Sequence, residues 1–201
     1  MHNYGYPRLL LQLHVTYDNG EVETIVSDES WKVTSQGPIR ANNEYDGEEY
    51  DARMEMPGWT AAGFNDRQWQ KAQLMESPGG KLEAQIIEHI RITEVIRPKR
   101  ILQPKPGIWM IDFRQSFYGS VRIKVKGKKG TEIKMHSSFN VLPDGTLKYQ
   151  NDRSALNTDI YTLKGEGVET WHPRFKGNAT RWVQVEGFPG TPTTDNFEGL
   201  V

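Results

Sequence analysis

The sequence contains no cysteine, so disulfides, thiolate metal sites and a cysteine nucleophile are all excluded. No stretch approaches the roughly 18–20 consecutive apolar residues that a membrane-spanning helix needs, so no membrane partner is expected. Residues 1–7 have neither the charged nor the apolar region of a signal peptide, and none is predicted there. The lack of cysteine does not decide the compartment, because many exported proteins also lack it.

Long amphipathic helices are missing as well, since no segment keeps a 3.6-residue apolar period. Alternation with a period of two predicts a half-buried strand at 9–17, and the turn residues 18–20 predict a hairpin with 21–26. Further strands are predicted at 31–34, 82–92, 109–113, 121–126, 131–135, 159–163 and 181–185. In these, core positions are expected for Trp31, Ile86, Ile90, Ile92, Trp109, Val121, Ile123, Val125, Thr131, Ile133 and Met135. The fold class is therefore predicted as all-β, with two β-sandwich modules.

Charge is distributed unevenly along the chain. Residues 1–90 hold 15 acids and 7 bases, whereas 91–201 hold 11 acids and 18 bases. Opposite signs favour two units that attract each other. Nucleic acid is not the expected partner of the basic half, because Arg122, Lys124 and Lys126 alternate onto the outer face of a hairpin with no aromatic residue between them to stack on bases.

One stretch, 37–53, is unusually rich in side-chain oxygen. It contains Asn42, Asn43, Glu44, Asp46, Glu48, Glu49 and Asp51. The dipeptide Asp46, Gly47 predicts a turn, and 48–53 predicts a short strand with Glu49, Asp51 and Arg53 on one face and Glu48 and Tyr50 on the other. Arg40 and Arg53 are the expected partners of the carboxylates. Two interpretations follow: a hydrogen-bonded turn that locks a sheet corner, or an oxygen-rich pocket for a cation or a sugar.

An ordered set of motifs gives the first half a family resemblance. The motifs are Asp28-Glu-Ser-Trp31, Gly37-Pro-Ile39, Tyr45-Asp-Gly-Glu-Glu-Tyr-Asp-Ala-Arg53, Gly58-Trp59 and Phe64-Asn-Asp-Arg-Gln-Trp69. Together they resemble the N-terminal jelly-roll module of bacterial α-L-rhamnosidases, inverting glycoside hydrolases that remove terminal L-rhamnose. The resemblance implies that 1–92 is a partial jelly-roll, galactose-binding-like module that lacks its first strands.

The second half resembles the concanavalin-like β-sandwich that follows the jelly roll in the same family, which implies a second module at 93–201. The motifs are Asp112-Phe-Arg-Gln115, Gly119, Gly130-Thr131, Asp144-Gly145, Thr158-Asp-Ile-Tyr-Thr-Leu-Lys-Gly165, Pro173-Arg-Phe175 and Arg181-Trp-Val-Gln-Val-Glu-Gly187. Arg114 stands where the family usually has glycine, and Ser116 where it usually has asparagine. The (α/α)6 catalytic barrel of the family has no counterpart in these 201 residues.

No catalytic residue is predicted. Glu49 and Asp51 are two residues apart on one strand, roughly 6.6 Å along the backbone, which is near the ~6.5–9.5 Å of an inverting pair. Both, however, project from one face in parallel and cannot flank a sugar ring. The histidines show no paired spacing with serine or aspartate, and no metalloprotease or phosphate-loop motif occurs.

The binding residues predicted are aromatic and oxygen-bearing side chains. Trp59, Trp69 and Tyr45 are the candidate platforms for a rhamnose-containing carbohydrate, although core packing is the alternative for both tryptophans. Asn42, Asn43, Glu44 and Asp46 are the candidate ligands of Ca²⁺, which takes six to eight oxygens. No cofactor is required, and calcium is the one candidate. Some modules of the resembled kind bind L-rhamnose through a bound calcium, although the spacing here matches no EF-hand loop.

The sequence therefore predicts a non-catalytic accessory part of an α-L-rhamnosidase-like hydrolase. The first module would bind carbohydrate or act as a scaffold, and the second would pack on the catalytic barrel of the same polypeptide. Two alternatives stay open: a purely structural pair of sandwiches, and a free-standing lectin-like sugar-binding protein.

Overall fold

The computed structural model of the protein describes residues 8–77, 79–81, 83–148 and 154–201. Within these residues the chain forms strands and two short 3-10 turns, Ala52–Met54 and Thr194–Asn196. The strands are β1 Gln12–Thr16, β2 Val22–Val26, β3 Lys32–Val33, β4 Ile39–Asn43, β5 Gly47–Asp51, β6 Gln70–Lys71, β7 Val95–Ile96, β8 Arg100–Lys105, β9 Ile108–Val125, β10 Glu132–Ser138, β11 Thr158–Thr162, β12 Glu169–Trp171, β13 Asn178–Glu186 and β14 Phe197–Leu200. The all-β class is confirmed. In the part of the chain described, no helix has the length and apolar character needed to cross a membrane.

Two compact units divide the described residues, and they interleave along the sequence. The first comprises 8–36 with 57–86, and the second comprises 37–56 with 87–201. The oxygen-rich stretch therefore belongs to the same unit as the C-terminal half. The division of the chain into modules 1–92 and 93–201 stays a prediction.

The first unit is built from two small antiparallel sheets, β1 with β2 and β3 with β6. The predicted hairpin is confirmed, because β1 and β2 are joined through the turn at Gly20, whose φ is +84°. The expectation that one face of this hairpin is half-buried is confirmed only in part: Leu11 and Val15 are half-buried, whereas the other residues of that face are exposed. Leu13 is 50% exposed and Tyr17 48%, because none of the described residues of this unit forms a layer that covers them.

The predicted strand at 82–92 is also wrong for the part that the structure describes. No strand occurs within 83–92, and the supposed core residues Ile86 and Ile90 are fully exposed, with Ile92 half exposed. Just after this segment, the amide of Thr93 donates to the carbonyl of Val201 over 2.8 Å. Alternation alone misled here, because a strand also needs a partner to pair with. Pro78 and Leu82 lie outside the described residues.

The second unit contains one extended ten-stranded arrangement, in the order β4-β5-β11-β10-β13-β9-β14-β7 with β8 and β12 also paired to β9. Strand β9 is long enough to serve two layers: its first half pairs with β13 and β8, and its second half with β14 and β12. The predicted alternation is confirmed, since Val121, Ile123 and Val125 are buried while Lys124 and Lys126 are exposed. The shared core fills the space between the layers.

Strand β5 joins this unit by pairing in parallel with β11, so that Tyr50 faces Tyr161 in register. The ring of Tyr50 lies 5.9 Å from that of Tyr161 and 5.9 Å from that of Trp171, and the latter two stack at 5.0 Å. Three aromatic rings from distant parts of the chain thus anchor the corner to the core. Trp109 is partly buried against the same core.

A smaller apolar cluster lies apart from the main core. Leu147 and Met110 are fully buried there against Trp182, with Val141 packed beside them. An isolated bridge between Val141 and Leu147 closes the loop that carries them.

Candidate functional site at the sheet corner

The corner between β4 and β5 is a hydrogen-bonded turn, as one of the two interpretations predicted. The Asn43 side-chain oxygen accepts from the amides of Tyr45 (2.8 Å) and Asp46 (3.2 Å). Gly47 follows with a φ of +122°, and a Cβ on it would lie 1.9 Å from the carbonyl oxygen of Thr158. Only glycine fits this position, because the backbone of β11 is packed directly against it.

Hydrogen bonds also fasten the turn to the chain just before β11. The carbonyls of Tyr45 and Asp46 accept from the amides of Asn157 (3.0 Å) and Thr158 (2.8 Å). The carboxylate of Asp46 accepts from the amide of Leu156 at 3.2 Å. The turn therefore closes the edge of a sheet whose other strands come from the C-terminal half.

The predicted strand ends earlier than expected, at Asp51 instead of Arg53. Asp51 accepts from the amide of Arg53 over 3.0 Å and begins a 3-10 turn, so Arg53 does not continue the strand face. The predicted pairing of these two residues is nevertheless confirmed, with Nε to Oδ1 at 2.8 Å and Nη2 to Oδ2 at 2.7 Å. The hydrogen bond from Arg53 lowers the pKa of Asp51, with a smaller contribution from the charge of Arg40.

The predicted calcium ligands are largely engaged within the corner. Asn42 donates to Glu48 Oε2 over 2.8 Å, and the oxygens of Asn43 and Asp46 accept from backbone amides, while Glu44 is exposed. A cation shell needs several oxygens aimed at one point, whereas Asn42, Asn43 and Asp46 are directed to separate partners and Glu44 is exposed. Among the described residues, no group of three or more His, Asp or Glu side chains is placed to hold a metal. The residues as arranged do not fit a calcium shell, and a calcium site here stays a prediction.

A buried ionic group, not predicted from the sequence, lies beneath the corner. The fully buried Glu48 receives hydrogen bonds at Oε2 from Asn42 and from the amide of Arg174 (3.1 Å). Its own amide donates to Asp159 Oδ1 at 3.0 Å, and the buried Lys176 ammonium lies 3.3 Å from the same oxygen. Alternation did place Glu48 on the face of Tyr50, and this is confirmed. No local signal indicated Lys176, which approaches from a segment 128 positions along the chain.

The charges of this group are not fully balanced. Within the described residues, Glu48 Oε1 is buried without a hydrogen-bond partner. Burial raises the pKa of Glu48, and the nearby charge of Asp159 raises it further against the hydrogen bonds that it accepts. Burial also raises the pKa of Asp159, although the Lys176 ammonium opposes this. An unpaired buried carboxylate oxygen is costly, so Glu48 ionises at a higher pH than an exposed glutamate does.

The three aromatic candidates differ in exposure and in the unit to which they belong. Trp59 is 58% exposed, which makes the core interpretation wrong for its ring. Trp69, in the same unit, is half-buried and tilted against Phe64, with ring centroids 5.8 Å apart. Tyr45 belongs to the second unit and is 65% exposed at the tip of the corner. Their role in carbohydrate binding stays a prediction.

Comparison with known proteins assigns both parts of the chain. The profile of the Alpha-L-rhamnosidase N-terminal domain matches residues 1–94, and that of the Bacterial alpha-L-rhamnosidase concanavalin-like domain matches 102–201. The chain belongs to the α-L-rhamnosidase family. Each matched range is continuous in sequence, whereas the segment 37–56, which lies inside the first range, belongs to the second compact unit.

Individual relatives agree with this assignment. An Alpha-L-rhamnosidase of Streptomyces avermitilis is 42% identical over 202 residues, covering 100% of this chain and 20% of the relative. One from Formosa agariphila is 37% identical over 198 residues, covering 97% of this chain and 21% of the relative. This chain therefore spans about one fifth of the length of these curated α-L-rhamnosidases.

Solved structures of the family have the same fold. The α-L-rhamnosidase from Dictyoglumus thermophilum superposes with a TM-score of 0.94 at 45% identity, covering 98% of this chain and 22% of that one. The Streptomyces avermitilis enzyme, solved in complex with L-rhamnose, gives 0.91 at 41% identity, covering 96% and 19%. The enzyme from Aspergillus terreus gives 0.88 at 36% identity, covering 96% and 22%.

Proposed function

We propose that this chain is a non-catalytic accessory part of an α-L-rhamnosidase, which binds a rhamnose-containing carbohydrate and supports an (α/α)6 catalytic barrel of the same polypeptide. The observation that carries the proposal is the match of both halves of the chain to the N-terminal and concanavalin-like domains of this family. These domains make up only about a fifth of the relatives, so the remaining length has room for a separate catalytic part.

The state of the carboxylates supports a non-catalytic role. Glycoside hydrolysis uses one carboxyl group as acid and a second on the opposite side of the sugar. At the corner, Asp51 is held in a bidentate ion pair with Arg53, and Glu48 is fully buried beneath the strand. Glu49 projects from the exposed face of β5. Asp51 lies two residues further along the same face, so the two carboxylates project in parallel and cannot flank a sugar ring.

Carbohydrate binding is supported by the exposed aromatic rings. Amphipathic rings of tyrosine and tryptophan pack well against a partner that is apolar on one face and wet on the other, as a sugar ring is. Trp59 and Tyr45 each leave more than half of the side chain open to solvent. Trp59 belongs to the first unit and Tyr45 to the second, so each is a separate candidate contact for a sugar.

A purely structural role is the second candidate, and one observation favours it. The Asn43 oxygen already accepts backbone hydrogen bonds within the turn, and the Asp46 carboxylate accepts one from the amide of Leu156, just before β11. A corner whose polar groups are already hydrogen-bonded within the protein stabilises the sheet and leaves few of those groups for a ligand.

The test combines activity and binding on the 201-residue chain. We expect no turnover of an aryl α-L-rhamnoside and weak heat on calorimetric titration with L-rhamnose. This heat should fall in Trp59→Ala or Tyr45→Ala and persist in the matched control Phe175→Ala, which removes another exposed ring. Repeating the titration with L-rhamnose in the presence of calcium, and then of a chelator, decides whether a cation contributes to sugar binding.

Each outcome separates the candidates. Turnover that survives purification and disappears in Glu49→Gln would refute the non-catalytic assignment. An absence of heat at millimolar sugar, with a melting temperature that chelator leaves unchanged, would leave the structural role as the function of this chain.

A further inference from the structure

Three arginines surround one buried aspartate in the second unit, far along the chain from the corner. Asp112 lies in β9 with a fully buried side chain. Arg100 from β8 reaches its Oδ2 through Nε at 2.8 Å, and Arg181 from β13 reaches its Oδ1 through Nε at 3.3 Å. The Nε of Arg114 lies 3.9 Å from Oδ2. Three neighbouring segments therefore converge on a single carboxylate.

All three guanidinium groups approach Asp112 through Nε, which leaves their outer ends unused. Within the described ranges, no Nη atom of Arg100, Arg114 or Arg181 makes a hydrogen bond. Their side chains are 43%, 59% and 38% exposed. Each guanidinium carries four Nη–H donors in a planar fork. The surface above Asp112 thus presents several donors to solvent.

The guanidinium groups are held in place before any ligand arrives. Trp182 packs beneath two of them, with the Arg100 guanidinium 5.4 Å and that of Arg181 5.5 Å from its ring centroid. The Trp182 side chain is itself buried. Stacking on an aromatic face and the bond to Asp112 restrict both side chains. Binding an anion here therefore costs less side-chain entropy than it would with free surface arginines.

The third arginine is placed by its backbone. Arg114 has a φ of +63°, a conformation that is uncommon for residues other than glycine. Its amide donates to Asp112 Oδ1 over 2.8 Å, which holds the backbone in this state. A glycine would satisfy the same geometry without strain. The chain instead keeps a long cationic side chain at this point, beside two others.

The cluster carries an excess of positive charge. Burial tends to raise the pKa of Asp112, but hydrogen bonds from the Arg114 amide and from Arg100 and Arg181 outweigh it, so that the pKa lies below its usual value. The aspartate is therefore ionised at neutral pH and cancels one of three positive charges. A local charge of about +2 remains on oriented donors.

We propose that Arg100, Arg114 and Arg181 form a binding site for a carboxylate group supplied by a ligand. Planar guanidinium forks match the two oxygens of a carboxylate, and charge-assisted bonds of this kind are the strongest hydrogen bonds that side chains make. The site lies on β8, β9 and β13 and is independent of the rhamnose binding proposed above.

The direct test is an NMR titration of the 201-residue chain with sodium acetate, observing the Arg Nε–H signals. Sodium chloride at equal ionic strength is the reference. We expect saturable shifts of the three arginine signals in acetate, with a dissociation constant in the millimolar range, and only small linear shifts in chloride. Linear shifts that are the same for both salts would overturn the proposal.

The variant Arg114→Gly tests the site without breaking the fold, because glycine accepts the backbone conformation there. We expect an unchanged or higher melting temperature and affinity for acetate weaker by about tenfold, the effect of losing one charge-assisted hydrogen bond. The matched control Arg91→Ala removes the same charge from an exposed position outside the cluster and should leave the affinity unchanged. Equal losses in both variants would indicate general charge attraction and refute the site.

Two further titrations identify the source of the carboxylate. A hexuronic acid presents it on a sugar ring, and a glutamate blocked at both ends presents it as a protein side chain does. Tighter binding of the hexuronic acid than of acetate assigns the site to acidic carbohydrate, and tighter binding of the blocked glutamate assigns it to a protein partner. Failure of both to shift the three signals would contradict the proposal.

Discussion

At the scale of single residues, the corner depends on a position that admits only glycine. We predict that Gly47→Ala destabilises the protein by about 2–6 kcal/mol, from backbone strain of roughly 1–3 and a clash of roughly 1–3. The reason is that the added Cβ would lie 1.9 Å from the carbonyl oxygen of Thr158, at a φ of +122°. Urea denaturation measures the change.

The matched control is Gly167→Ala in the same unit. Gly167 has a φ of +77°, but nothing lies within 4 Å of its added Cβ. This substitution should cost only the backbone term, about 1–2 kcal/mol. Equal losses at Gly47 and Gly167 would show that the contact with Thr158 is not tight.

Also at this scale, the buried Glu48 should make stability depend on pH. Because its pKa is raised from 4.5, its contribution is fully present below that value and is lost as the pH rises through the raised one. The pKa of Asp112 is lowered from 3.8, so its contribution is complete above that value and is lost as the pH falls. We therefore predict that Glu48→Gln flattens the decline in stability above pH 4.5.

Melting temperatures from pH 4.5 to 8 provide this measurement. The control Glu49→Gln changes the adjacent exposed side chain and should keep the wild-type profile. If Glu48→Gln and the wild type decline in parallel, Glu48 does not govern the profile.

At the scale of elements, the loop after β10 packs on the smaller apolar cluster through Leu147. Leu147 is fully buried against Met110 and Trp182, whereas Leu142 in the same loop is exposed. We predict that Leu147→Ala costs about 2–5 kcal/mol, as large-to-small core substitutions do. Leu142→Ala should change stability by less than about 0.5 kcal/mol.

Chemical denaturation of the two leucine variants measures the loss of stability in each. A small loss for Leu147→Ala would mean that the loop relaxes into the space left by the side chain. Because Leu147 packs beside Trp182, tryptophan fluorescence should also change in this variant, and should stay as in the wild type for Leu142→Ala.

At the scale of the whole molecule, the segment 37–56 completes the second unit. We predict that a fragment of residues 93–201 melts at a lower temperature than the full chain, because it lacks β5, whose Tyr50 packs on Tyr161 and Trp171. A peptide of residues 37–56 added in trans should raise that temperature. The same peptide with Tyr50→Ala should not, and equal action of both peptides would contradict this role for β5.

The interleaving also changes how charge is distributed. By sequence halves the balance is −8 and +7, since 37–56 is counted with the first half. Counted by compact units, the first unit holds 8 acids and 5 bases and the second holds 18 acids and 20 bases, a balance of −3 and +2. The strong asymmetry expected from the sequence is therefore mostly removed by the fold, and it is a weak argument for attraction between units.

The sequence by itself determined what depends on neighbours along the chain. Alternation placed Val121, Ile123 and Val125 inside, and turn residues located the hairpin at Gly20, because side-chain direction and turn geometry are local properties. The order of the motifs also predicted the family, which the comparisons confirmed. Local alternation failed at Ile86 and Ile90, which are exposed and form no strand.

Only the tertiary structure decided which distant residues meet. The pairing of β5 with β11 brought Glu48 to Asp159 and Lys176, and the pairing of β8, β9 and β13 brought three arginines around Asp112. No spacing in the sequence encodes these meetings, because strand pairing joins segments of any separation. Whether a carboxylate is exposed, paired or buried follows from that pairing, and so does the chemistry open to it.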